Sequence, residues 1–173
     1  MFDTNFASQF WPAFYATVLG GIALSVTFFF LKEHLFSLPS ITGIWECHLV
    51  VSESAFNPYK GMDLWYRVVL LQDGRKLIGR GEKYKDHAAN QPPRNYDGKH
   101  RIGTEIQGII EKNVTKSDVV RVQWGENGES RISSTICELK ISGSKSKGNL
   151  SGKFFSTAGE CHGHTVWTRV TKL

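Results

Sequence analysis

Between Phe10 and Leu31 the chain has no charged residue, and no lysine or arginine precedes Lys32. All 21 basic residues follow that run, whereas of the 16 acids only Asp3 stands before it. Cysteine is scarce. Cys47, Cys137 and Cys161 are odd in number and widely spaced, which excludes a disulfide framework and fits reduced thiols in a cytosolic compartment. Catalytic signatures are missing too: there is no GxSxG elbow, no HExxH pair and no Walker-type phosphate loop. Glu46, Glu82, Glu105, Glu111 and Glu138 are scattered, with no enforced pairing of carboxylates. Neither an enzyme nor a cofactor is therefore expected. Cys161-His162-Gly163-His164 crowds three ligand types together but has no second ligand pair at zinc-site spacing, so no metal is expected.

What is present begins with the apolar run itself, FWPAFYATVLGGIALSVTFFFL. At ~1.5 Å per residue it reaches about 33 Å as a helix, enough for a hydrocarbon core of about 30 Å. Trp11 and Tyr15 stand near one end, as interfacial aromatics do, and Gly20-Gly21 offers a small-residue face. A cleaved signal peptide fits poorly: the preceding MFDTNFASQ is not basic, and KEHLFSLPS follows in place of a small-residue cleavage site. A buried core helix fits poorly as well, because bulky side chains surround the whole run. The expected organisation is a short flank over 1–9, a membrane helix over 10–34, a linker over 35–41 and a soluble domain over 42–173. Basic residues on the C-terminal side place that domain in the cytoplasm by the positive-inside tendency.

From Gly43 onward, short segments rich in β-branched and aromatic residues alternate with turn signals. Strands are expected at Thr42–Ser52, Met62–Gln72, Lys76–Lys85, Thr104–Lys112, Asp118–Trp124, Arg131–Ser142, Asn149–Thr157 and His164–Lys172. Asp73-Gly74 marks a hairpin, Gly125–Gly128 and Gly143–Gly148 mark turns, and the polar stretch around Pro92-Pro93 a long loop. Short connections favour antiparallel neighbours. Eight such strands close into an up-and-down barrel, with a two-sheet sandwich as the competing fold. In the first strand Trp45, Cys47, Leu49 and Val51 share one face; the Arg131–Ser142 strand leaves its inward face open. Gly79 and Gly81 within one strand point to a sharp bend, and Trp45 with Arg169 to closure of the barrel end.

The basic balance of the domain, 21 cations against 15 acids, suits an anionic partner such as a nucleotide, a nucleic acid or anionic lipid headgroups, although on charge alone simple solubility is the favoured reading. The candidate ligand residues are Tyr66, Arg67, Arg80, Lys83, Tyr96 and Arg101. They combine cations for phosphates with aromatic faces for bases, and Arg94, Tyr96 and Arg101 in the long loop supply a lid of one aromatic and two cations. If the hairpin turns about Asp73-Gly74, Arg67 faces Arg80, a repulsion that an intervening anion relieves, as Glu82 does in the solvated-face alternative.

Gly43-Ile44-Trp45 with the late Arg169 resembles the signature of calycin (lipocalin-like) barrels. A larger part of the chain resembles the two-transmembrane, β-strand-rich barrel effectors of bacterial anti-phage CBASS-type systems. The likeness covers the apolar run, the GIW opening, DLWYRVVLLQDGRKLIGRGEK, Tyr96-x-Gly98 with Arg101, and the ending GKFFSTAGECHGHTVWTR. It implies a barrel that senses a cyclic di- or oligonucleotide made by a partner synthase, not DNA or RNA. It also implies a homo-oligomer whose membrane helices disrupt the bacterial inner membrane. Related systems use the nucleotide as a restraint, so the sign of control stays open. The chain departs from that family in having one membrane helix in place of two. A membrane-tethered carrier of a small apolar ligand and a non-catalytic scaffold subunit are the alternatives.

Overall fold

A computed structural model describes residues 4–35, 38–89, 91–113, 116–127, 132–141 and 148–171. The expected turn at Gly143–Gly148 lies outside them up to residue 147, as do Gly128, Arg131, Ser142 and Lys172 at other expected element ends. Two compact units divide the chain, residues 1–37 and 38–173.

The first unit is one helix, α1 (Thr4–Leu35). Phe10–Leu31 within it is long and apolar enough to cross a membrane, and none of that window is buried. A helix of a soluble domain would bury one stripe; the Phe10–Leu31 window is apolar on every side and exposed throughout. Its hydroxyls are satisfied internally: Thr17, Ser25 and Thr27 donate to the carbonyls of Ala13, Gly21 and Ala23 at 2.8–2.9 Å. That is the arrangement a water-free surrounding demands. Trp11, Phe14 and Tyr15 form an aromatic cluster at one end and Phe28, Phe29 and Phe30 a second at the other.

The second unit is a closed antiparallel β-barrel of eight long strands. They are β1 (Gly43–Glu53), β2 (Asp63–Asp73), β3 (Lys76–His87), β5 (Ile102–Glu111), β6 (Val119–Asn127), β7 (Ile132–Ile141), β8 (Asn149–Ser156) and β9 (Cys161–Arg169). A two-residue strand, β4 (Arg94–Asn95), pairs with β3 beyond the reach of β5. Each long strand pairs with its successor, and β9 returns to β1, so the eight long strands form a closed ring.

Alternation builds the interior. Trp45, Cys47, Leu49 and Val51 point inward from β1, and Val120, Val122 and Trp124 from β6. On β7 the inward residues are Thr135, Cys137, Leu139 and Ile141, which resolves the face the sequence left open. The core lies wholly between Ile41 and Trp167, so among the described residues the barrel contains its own core. Each fully buried large apolar side chain contributes about 1.5–3 kcal/mol. Cys47 and Cys137 are free and buried, and burial pushes both thiols up, so they remain protonated.

The two ends differ. At the end where the chain enters, Trp45 is fully buried and donates its indole N–H to the Ile41 carbonyl at 2.9 Å. Arg169 lies opposite Trp45, 5.6 Å from its ring centre, and donates to the Thr42 carbonyl. This stack closes the barrel and contributes about 0.5–2 kcal/mol. Gly79 and Gly81 mark tight strand approach. A Cβ at Gly79 would stand 2.4 Å from the Val69 carbonyl oxygen, and one at Gly81 2.5 Å from Val68.

One expected register is corrected. The β2–β3 loop is Gly74-Arg75, with Gly74 at φ +57° and Asp73 paired to Lys76. Arg67 therefore faces Glu82, and Arg80 faces Val69. The turn falls one residue later than expected because glycine supplies the positive φ at the first position of the two-residue loop. The pair of opposed arginines does not exist.

Candidate functional site: the open end of the barrel

Opposite the closed end, a cavity of about 300 Å³ opens between the ends of the eight long strands. Its apolar walls include Leu49, Val51, Met62, Leu64, Ile102 and Phe154. Set into them is a polar network on four charged residues: Lys83, Asp86, Arg94 and Glu126.

An irregularity in β3 creates this network. Trp65 pairs with Lys85 and Tyr66 with Lys83, so Tyr84 is an extra residue in the ladder. Strict alternation would send Lys83 and Asp86, three apart, to opposite faces. The bulge restores both to the interior. The Lys83 ammonium then lies 3.8 Å from Asp86 and 3.8 Å from Glu126, and its side chain is 12% exposed.

Asp86, 1% exposed, is the acceptor hub. Arg94 on β4 forks onto both of its oxygens, at 2.9 and 3.2 Å, and the Tyr96 hydroxyl donates to it at 2.6 Å. Glu126 is the second hub: the Tyr66 hydroxyl donates to it at 2.5 Å and the Trp124 indole at 3.2 Å. Lys83 also lies 5.2 Å from the Tyr96 ring centre. Burial first, then Glu126, raises the Tyr66 phenol well above its usual range. Burial and the Asp86 hydrogen bond push Tyr96 up to about 12. Both phenols are thus neutral donors at physiological pH.

Of the six candidate residues, the structure brings Tyr66, Lys83 and Tyr96 together at this cavity. Arg67 and Arg80 stand on the outer wall instead, and Arg101 in the connection before β5, each on a carboxylate. Arg67 meets Glu46 at 2.6 Å, Arg80 meets Glu105 at 3.3 Å, and Arg101 meets Glu82 at 2.8 Å. Alternation explains Arg67 and Arg80, whose neighbours Tyr66, Val68, Gly79 and Gly81 occupy the inward positions.

Sequence reasoning reached Arg94 as a lid cation beside Tyr96 and Arg101, and missed Asp86 and Glu126. For Glu126 a signal existed: Val120, Val122, Trp124 and Glu126 form one period-2 series with a carboxylate at its end. Gly125 made the segment look like a turn, but β6 runs on to Asn127. Asp86 had no such signal, since the bulge breaks the period. The Cys161–His164 cluster is split by the sheet, with Cys161 inside and His162 and His164 outside. Among the described residues no three His, Cys, Asp or Glu side chains are grouped to hold a metal ion.

No family model, curated protein or solved structure matches this chain.

Proposed function

We propose that this chain is a membrane-anchored sensor, not an enzyme, whose barrel takes a cyclic di- or oligonucleotide at its open end. The bound nucleotide controls self-association of α1, and the assembled helices disrupt the inner membrane in an anti-phage response. The barrel lies on the cytoplasmic side, where a cyclic oligonucleotide synthase reaches it through its product. One observation carries the reading: Lys83 and Arg94 converge with Tyr66 and Tyr96 on a single cavity. That combination offers cations to phosphate and aromatic edges and hydroxyls to a base. A cavity of about 300 Å³ is at the lower end of ligand-site volumes, so a cyclic nucleotide seats one base there and rests the remainder on the rim.

Asp86 supplies the coupling. It ties Arg94 and Tyr96, and with them the β4 segment, to the barrel. A phosphate that takes Lys83 and Arg94 as its own partners displaces Asp86 from them and frees that segment to rearrange.

A second reading rests on a specific observation. Within the cavity the two cations are matched by two carboxylates, and much of the wall is apolar. That balance favours a membrane-tethered carrier of a small apolar ligand. Thermal melts of the barrel, residues 38–173, against a panel of cyclic nucleotides separate the two, together with mass spectrometry of co-purified lipid. At a hundredfold excess over Kd, binding stabilises by about 2.7 kcal/mol. A shift with one nucleotide supports the sensor. No shift with any, and a lipid retained in the barrel, supports the carrier.

A further inference from the structure

We infer that the closed end of the barrel is a docking surface for an anionic lipid leaflet. The inference rests on the membrane-anchor reading and adds a second, peripheral contact to it. Charge is distributed unequally along the barrel axis. At the closed end Arg75, Lys76, Lys116 and Lys140 stand at the ends and connections of β3, β6 and β7 and have no ion-pair partner among the described residues. Of the acids beside them, Asp118 is taken by Lys112 at 3.2 Å and Glu111 by Arg121, which leaves Asp73. At the cavity end the carboxylates of Glu53, Asp63, Asp86, Asp97, Glu126 and Glu160 offset the cations.

A second feature coincides with the cationic end. Leu71, Ile78 and Ile109 point outward, 45–57% exposed, on three adjacent strands. Leu71 and Ile78 are direct cross-strand partners, and Ile109 is opposite Lys76, diagonal to Ile78. They form one apolar patch beside Arg75 and Lys76. Apolar side chains for the acyl boundary next to unpaired cations for headgroups make a peripheral membrane footprint. The chain enters the barrel at this same end, seven residues after the end of α1, a tether of at most about 25 Å when fully extended. Docking by this end turns the cavity mouth away from the lipid, toward the compartment that supplies the ligand.

The test is co-sedimentation of the barrel, residues 38–173, which holds its own core. Vesicles of phosphatidylcholine alone are compared with vesicles containing about a third phosphatidylglycerol. Binding to the anionic vesicles, weakened by salt, is expected. R75Q/K76Q should lower the partition coefficient about thirtyfold, because each cation near an anionic surface counts for about fivefold. L71S/I78S, on the outer wall, should weaken it while leaving the melting temperature within a few degrees. K153Q, on the outward face of β8, should leave it unchanged. Equal binding to both vesicle types, no binding to either, or full retention in R75Q/K76Q overturns the inference. Carbonate extraction of the full chain is read separately. A chain that stays in the membrane while the barrel ignores vesicles sinks this inference alone; an extractable chain sinks the anchor reading.

Discussion

Replacing Asp86 by alanine removes the acceptor on which the open end is organised. Three side chains lose a partner. Lys83 keeps Glu126 at 3.8 Å, so its charge is not orphaned. Arg94 is 62% exposed along its side chain, and water takes over most of its solvation, so its pair contributes little. Tyr96 loses the acceptor of its 2.6 Å hydrogen bond in a half-buried position. Breaking a buried ion pair costs about 3–5 kcal/mol, and the residual Lys83–Glu126 contact moves the expectation to the lower end, about 3 kcal/mol. For a domain of this size that is a fall in melting temperature of roughly 10 °C. Asp86→Asn keeps the shape and one acceptor oxygen, and is expected to cost about half as much. Urea titration of the barrel, read by tryptophan fluorescence, measures both, and limited proteolysis should cut the segment around β4 faster in the alanine variant. A cost below about 1 kcal/mol, with the segment as resistant as in wild type, would show that Asp86 does not hold the site together.

Lys83→Gln should remove the nucleotide-dependent rise in melting temperature, whereas Arg67→Ala and Arg80→Ala, on the outer wall, should retain it; the reverse pattern moves the site outside the barrel. Gly163→Ala places a Cβ 1.9 Å from the Val50 carbonyl oxygen and should destabilise by several kcal/mol in urea melts, since β1 and β9 must separate. On alkaline titration Tyr66 and Tyr96 should stay un-ionised beyond the usual range near 10, because folding raises both phenols. The unfolded chain ionises first, so stability is full below about pH 10 and falls as pH rises toward 12. Phenolate absorbance should accordingly show a late component that coincides with unfolding and shrinks in Tyr66→Phe.

The barrel was legible because its evidence is local and repeated. Each strand carries its own alternation, and turn residues stand between most neighbours. Trp45 and Arg169 were legible as closure because the first and last strands of a closed barrel must meet. The site was less legible, for a related reason: facing is inferred by counting in twos, and the count fails at a bulge. Tyr84 shifts the count between Lys83 and Asp86, and nothing in KYKD announces it. A turn placed one residue off changes the partner of every residue in a hairpin by two, which turned the Arg67–Glu82 pairing into an apparent clash of arginines. Glu126 was hidden by Gly125, a turn residue by composition that here continues a strand.

The central claim is that a ligand at the open end governs what α1 does in the bilayer. It is tested most directly with the full chain in dye-loaded vesicles, adding the nucleotide that raises the barrel's melting temperature. Leakage that changes on addition, in either direction, and no longer changes in Lys83→Gln is the expected result. Leakage unchanged at saturating nucleotide would contradict it, and would leave a barrel and a helix that share a chain without sharing a function.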